Sequence, residues 1–182
     1  MKLKKSFYLN TNVLEIAEQL IGKELHIRMQ GVHKAGIIVE TEAYSFREKA
    51  CHAYLKRYTN RTKTMFMEGG VAYVYLCYGI HHLFNVVTNS KNIPEAVLIR
   101  AIQPLEEHAI KRITAGPGKL TKYLGITKAL DATSLVGDKL WIEDRNREYP
   151  VATSIRIGID YAEEDANLPW RFTVKDNPWV SK

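Results

Sequence analysis

Cysteine is scarce in this chain: Cys51 and Cys77 are the only two among 182 residues, and no C-x-x-C pair exists. A disulfide framework and a cysteine-rich zinc site are therefore excluded, and a reducing cytosol is the compartment expected. Long apolar runs are missing as well. None approaches the ~20 residues of a membrane helix, and the basic stretch MKLKKSFYLNTN has no apolar segment behind it to act as a secretory signal. There is no internal repeat, low-complexity tract or Ser/Gly linker, so residues 1–182 read as a single domain, long enough to bury a real core. Acidic side chains are in deficit: 20 Asp and Glu against 26 Lys and Arg leave a net charge of +6. A basic balance points toward a polyanionic partner without requiring one.

The local patterns that are present define elements. NTNVLEIAEQLIGK predicts a helix capped by Asn10 or Thr11, striped by Leu14, Ala17, Leu20 and Ile21, and ended by Gly22. Two strands follow, ELHIRMQ and KAGIIVETEAY, joined by a turn at Gln30-Gly31. Residues 45–64 are polar, basic and aperiodic, a long surface loop of the kind that is often functional. The runs 71–78 and 81–88 flank Gly79-Ile80 and predict a tight hairpin, and EAVLIRAI predicts a buried strand. Pro104 opens a predicted helix, PLEEHAIKRI, with acids in its first turn and bases in its last. GPGKLTKYLGI predicts another, closed by Gly125. Strands around KLWIED, TSIRIGI and WRFTVK complete an α+β domain with a curved, mostly antiparallel sheet and flanking helices.

Within that frame, AGIIVETEAYS places charge where a buried strand carries apolar residues. Alternation puts Ile38, Glu40, Glu42 and Tyr44 on one face. Two carboxylates at that spacing suit glycosyl hydrolysis, in which one activates water or stabilises an oxocarbenium-like centre. A solvated edge strand with two surface acids explains the same residues. Tyr73 and Tyr75 share a face of the hairpin, as core formers or as a contact surface. Tyr78 beside the tip glycine cannot bury itself in its own core, which favours contact with something flat or apolar.

The six histidines form neither H-E-x-x-H nor the H-x-E with P-C-x-x-C of zinc deaminases, so no metal site is expected. GPGKL is not a P-loop, because Ile113 and Leu120 stand at the Walker glycine and Ser/Thr positions. It is either a phosphate anchor at a helix N-terminus, with Lys119, or a plain turn. Bases cluster at Lys49, Lys56, Arg57, Arg61 and Lys63, interleaved with Tyr54 and Tyr58, and again at Lys111, Arg112, Lys119 and Lys122. Basic and aromatic residues together fit a nucleic-acid groove, and a solvated charged face would look similar.

VETEAY, ACH, TNRTKTMFM, YVYLCYG with Asn85 following, VLIRAIQPLE, GPGKL and NPWVSK occur in this order, and the chain from about Phe7 onward resembles the alkyladenine-type 3-methyladenine DNA glycosylases. The resemblance implies a monofunctional base-excision repair enzyme that hydrolyses the N-glycosidic bond of alkylated or deaminated purines. It also implies one mixed domain with a protruding, DNA-intercalating β-hairpin. By the same resemblance Glu42 is the base that activates water, Arg100 helps hold that water, and the carbonyl of Ile157 is its third contact. Tyr44, His52 and Tyr75 sandwich and hydrogen-bond the flipped base, Asn85 and Leu98 crowd a purine 2-amino group, and Tyr78 fills the gap left in the duplex. Arg57, Arg61, Lys63 and Lys119 are the candidate contacts to the DNA backbone. No cofactor is implied, and the expected partner is double-stranded DNA containing damaged purines, bound by a monomer without membrane association. The loop between Tyr44 and His52 differs from that of mammalian members, and Ile80 replaces a methionine at the hairpin tip. The absence of a long N-terminal extension points to a bacterial type.

The chemistry suits these residues in its own right. A 3- or 7-alkylated purine is cationic and a good leaving group, so the site has to supply a placed water, negative charge and aromatic faces. No lysine adjoins Glu42 in the sequence, so no Schiff-base lyase step is expected. Glu40 is expected to support the strand end, paired with a nearby base.

Overall fold

The computed structural model describes residues 1–110 and 112–182; Lys111 lies outside them. Eight strands form one sheet: β1 (Glu24–Met29), β2 (Val32–Ser45), β3 (Ala72–Cys77), β4 (His81–Thr88), β5 (Glu95–Pro104), β6 (Leu140–Glu143), β7 (Val151–Ser154) and β8 (Arg171–Val174). Their order is β3-β4-β5-β2-β1-β6, with β8 bridging β2 and β7, and every pairing is antiparallel. The long β2 makes the sheet curl. On one edge it pairs with β1 over residues 32–37 and then with β8 over residues 40–42, so its two halves have different neighbours. The result is the expected α+β architecture, a half-barrel with few helices.

Among the described residues three α-helices accompany the sheet: α1 (Lys5–Tyr8), α2 (Val13–Gln19) and α3 (Pro117–Leu124). The cap of α2 is Asn12, not Asn10 or Thr11: its side chain accepts from the N–H groups of Leu14 and Glu15 at 3.1 and 3.3 Å. Asn10 instead accepts from the N–H of Asn12, which sets the turn ahead of the cap. The helix buries Ile16 and Ala17 against β2, where the Thr41 hydroxyl donates to the Ala17 carbonyl at 2.8 Å. Full burial of a side chain such as Ile16 stabilises the fold by about 1.5–3 kcal/mol. In α3, Pro117 stands at the first helical position and Gly125 takes the left-handed φ of +72° that ends the helix.

Two predicted elements are corrected. Pro104 opens no helix: it is the last residue of β5, opposite Gly36, and Leu105 extends the ladder by donating its N–H to the Ala35 carbonyl. Among the described residues of 105–113 none is helical. Ile110 is 73% exposed, and a short helix with nothing to bury is marginal in water. TSIRIGI is likewise not one strand. β7 stops at Ser154, and the chain then turns, with Gly158 at φ +73°.

The two-residue turn at Gln30-Gly31 forms as predicted, both residues at positive φ. In the β3–β4 hairpin the positive-φ pair is Tyr78-Gly79, one residue earlier than expected, and the Ile80 N–H donates to the Cys77 carbonyl at 3.2 Å. A tyrosine thus holds the left-handed conformation that normally favours glycine, a strain of the sort found at functional positions.

Candidate active site

Antiparallel register aligns one face of four strands. Tyr73 lies opposite Asn85, Asn85 opposite Leu98, and Leu98 opposite Glu42. Residues two positions away on the same face add Tyr75, Arg100 and Tyr44. Of these, Tyr44, Tyr73, Tyr75, Asn85, Leu98 and Arg100 form the floor of a cavity of about 800 Å³. Its walls come from three irregular segments: residues 50–61 with His52 and Arg61, residues 115–119 ahead of and into α3, and residues 157–161. The hairpin tip stands at its rim with Tyr78 and His81. Gly118 has no room for a side chain, since a Cβ there would meet the His81 ring at 2.9 Å.

Glu42 is fully buried at the edge of this cavity. Its Oε1 accepts from the Ile157 N–H at 2.8 Å, and its Oε2 accepts from the Tyr44 hydroxyl at 2.8 Å and from an Arg100 guanidinium nitrogen at 3.3 Å. Tyr44, Arg100 and Ile157 all line the cavity, so the carboxylate sits directly behind its wall. A buried carboxylate is tolerable only with such partners. It offers about four acceptor positions, and these donors use three. Burial, reinforced by Glu42, holds the Tyr44 phenol far above its usual pKa, so it stays a hydrogen donor. Burial opposes the charge on Arg100, yet Glu42 and Glu40 together keep the guanidinium more firmly protonated than usual. The contact of Ile157 with Glu42 is made by its N–H.

His52, Tyr73, Tyr75 and Arg61 form a second group across the cavity. His52 Nδ1 lies 3.1 Å from the Tyr73 hydroxyl, and its ring meets that of Tyr75 edge-on with centroids 4.6 Å apart. Burial, with help from the charge on Arg61, lowers the His52 pKa to about 4, so the imidazole is neutral at physiological pH. The Arg61 guanidinium stacks 4.9 Å over the Tyr75 ring and lies 3.4 Å from His52 Nε2. Asn85 and Leu98 are buried side by side, and the Asn85 amide donates to the Tyr73 carbonyl at 3.2 Å.

The basic residues divide. Arg61 and Lys119 line the cavity, whereas Arg57 and Lys63 are exposed outside it. Tyr78 is 90% exposed at the tip.

Two arginines escaped the sequence reading. Arg156 is buried, makes a twofold ion pair with Glu48 at 2.9 Å, donates to the Ala43 carbonyl and lies 4.9 Å over the Tyr44 ring. It pins the residue before Ile157 to β2. Arg171 donates through Nε to Glu40 at 2.7 Å. Isolated arginines in apolar surroundings, RIGI and WRFTV, were the only available signal.

Comparison with known proteins gives the class: a DNA glycosylase. The chain belongs to the methylpurine-DNA glycosylase family, which matches residues 6–178. It is 45% identical over 183 residues to a protein of Chlamydia felis named "Putative 3-methyladenine DNA glycosylase", covering 93% of this chain and 94% of that one. Proteins of the same name from Alkaliphilus oremlandii and Bacillus cytotoxicus are 40% and 42% identical over the full length of both chains. The protein is accordingly a DNA-repair enzyme. No helix among the described residues is long and apolar enough to cross a membrane.

Proposed function

We propose that the protein is a monofunctional DNA-3-methyladenine glycosylase that draws an alkylated or deaminated purine out of duplex DNA into the cavity. There Glu42 activates a water molecule. The water oxygen bonds to C1′ of the sugar, the N-glycosidic bond breaks with its electrons passing to the purine, and the water proton passes to Glu42. The products are a free base and an abasic site. One observation carries this reading: a fully buried carboxylate, Glu42, held by three donors directly behind the wall of an aromatic cavity.

The surroundings support the assignment. Tyr44, His52 and Tyr75 present aromatic faces suited to a planar cationic base. His52, neutral near pH 7, serves as a hydrogen-bonding wall. Asn85 and Leu98 narrow the floor where a purine edge would rest. Tyr78, exposed and strained at the hairpin tip, suits a wedge that holds the duplex open. Lys119 and Arg61 at the cavity, with Arg57 and Lys63 beyond it, suit phosphate contacts, and the whole operates as one monomeric domain. Among the described residues Glu42 has no lysine hydrogen-bonding partner, as hydrolysis that stops at the abasic site requires.

The test is a panel of duplex oligonucleotides, each with one defined lesion (3-methyladenine, 7-methylguanine, ethenoadenine or hypoxanthine), scored by alkali cleavage at abasic sites. Excision by the wild type and none by Glu42→Gln, with lesion binding retained, is expected. Full excision by Glu42→Gln would remove Glu42 from the role of base. No excision of any lesion by the wild type would reduce the protein to a nucleic-acid-binding module.

A further inference from the structure

Glu40, two residues before Glu42, has a different environment. It is fully buried. Its Oε1 accepts from Arg100 Nε at 3.0 Å, Arg171 Nε at 2.7 Å and the Ser181 hydroxyl at 2.8 Å, and its Oε2 accepts from the Ser181 N–H at 2.7 Å. Arg171 also donates to the Ser181 carbonyl at 3.3 Å and to the Ser154 hydroxyl at 3.1 Å. The β2–β5 register slips locally here, with Glu40 paired to Ala101 and Thr41 to Ile99.

We propose that Ser181, acting through Glu40, is a positioning residue that sets the guanidinium of Arg100 against Glu42. This rests on the role assigned to Glu42 above. A guanidinium is planar and rigid, so fixing Nε decides where its terminal nitrogens point. Arg100 reaches Glu42 through one terminal nitrogen at 3.3 Å, the longest of the Glu42 contacts, and its firmer hold is the Nε bond to Glu40. Glu40 in turn takes two of its four hydrogen bonds from Ser181. Two carboxylates and two guanidiniums balance in this cluster, and without Glu40 only Glu42 would remain to offset the two arginines. Ser181 is itself held in place. Arg112 donates to the carbonyls of Pro178 and Val180 at 3.1 and 3.2 Å, and the Asn177 amide donates to the Gln103 side chain at 3.1 Å. Residues 177–181 thus brace Arg100, and none of them lines the cavity.

Ser181→Pro removes both the N–H and the hydroxyl; Ser181→Ala removes the hydroxyl only. For Ser181→Pro the single-turnover excision rate should fall on the order of tenfold to a hundredfold, the scale of a misplaced reacting group. Lesion-duplex Kd should stay within about twofold, as expected when only the chemical step is touched. Ser181→Ala should lose less. In an Arg100→Gln background, Ser181→Pro should add almost nothing, because both changes act on one contact. A structural role only would lower both backgrounds equally, and wild-type excision by Ser181→Pro would overturn the proposal outright. An activity-independent readout separates this proposal from the function it rests on. The Arg100 Nε–H resonance should lose its protection from solvent exchange in Ser181→Pro, and unchanged protection would overturn the positioning role even if the wild type excised nothing.

Discussion

Of two buried charge clusters on this sheet, one opens onto a cavity and the other does not. On β2 and β5, Glu40, Glu42 and Arg100, joined by Arg171, back onto aromatic side chains and open space. On β1 and β6, Glu24, His26 and Glu143 bring ligand atoms within 4.8 Å of one another, a spacing that would also suit a metal ion. There Arg145 already bridges both carboxylates at 2.8 and 2.9 Å, and the rings of His26, His33 and Trp141 lie nearly parallel with their centroids 5.1–5.6 Å apart. Burial and charge are common to both. What distinguishes the first is that its donors line a cavity large enough for a base, with part of the carboxylate's acceptor capacity left unused. A buried charge becomes a candidate for chemistry when its last partner has to come from outside the protein.

The largest contrast should come from the carboxylates themselves. Glu42→Gln should lower single-turnover excision by about 10²–10⁴-fold, the range for loss of a general base, while lesion binding by fluorescence anisotropy is retained. Glu24→Ala in the other cluster should do the reverse. It removes the carboxylate beside His26 and one of the two that hold Arg145, and should cost about 1–3 kcal/mol of stability in urea melts, with the excision rate unchanged. A fall in excision without a loss of stability would merge the two regions functionally. At the rim, Tyr78→Ala should weaken excision in duplex DNA by about tenfold, commensurate with losing one stacking contact, and in single strands much less. Equal losses on both substrates would assign Tyr78 to the pocket.

The smallest effect concerns acid stability. The folded-state pKa of His52 is depressed to about 4 from 6.5, so the unfolded chain takes up a proton that the folded chain refuses. His52 should therefore cost stability as pH falls from about 6.5 toward 4 and cost nothing above that window. His26, also depressed by burial, should contribute in the same direction. His52→Gln should flatten the slope of melting midpoint against pH in this range, and an unchanged slope would show that His52 is not the group responsible.

The elements of the fold were largely legible because they are set locally. Gln30-Gly31 and Gly125 mark backbone that must turn left-handed, and alternation along residues 38–44 placed Glu40, Glu42 and Tyr44 on one face. The helix expected after Pro104 failed for a reason local patterns do not carry. Its charges were well arranged, but the fold offers no apolar surface to receive it. Among the site residues, Tyr44, Tyr75, Asn85 and Leu98 were marked by resemblance, and strand register brings them together. Arg156 and Arg171 were not legible, since one arginine in an apolar run looks the same whether it is solvated or buried against a carboxylate.

By itself the sequence determined which residues could alternate, turn and cap, because φ/ψ preference and side-chain direction belong to the backbone of each residue and its immediate neighbours. It also determined the family, through ordered motifs. The resemblance singled out Glu42 and left Glu40 a supporting part; only the tertiary structure supplied the partners that make the two differ. Glu42 meets Ile157, 115 residues away, and stands behind a cavity wall, whereas Glu40 meets Ser181, 141 residues away, and is fully enclosed. The physical reason is that a buried charge is defined by the donors that surround it, and chain folding delivers those donors from positions that no local pattern records.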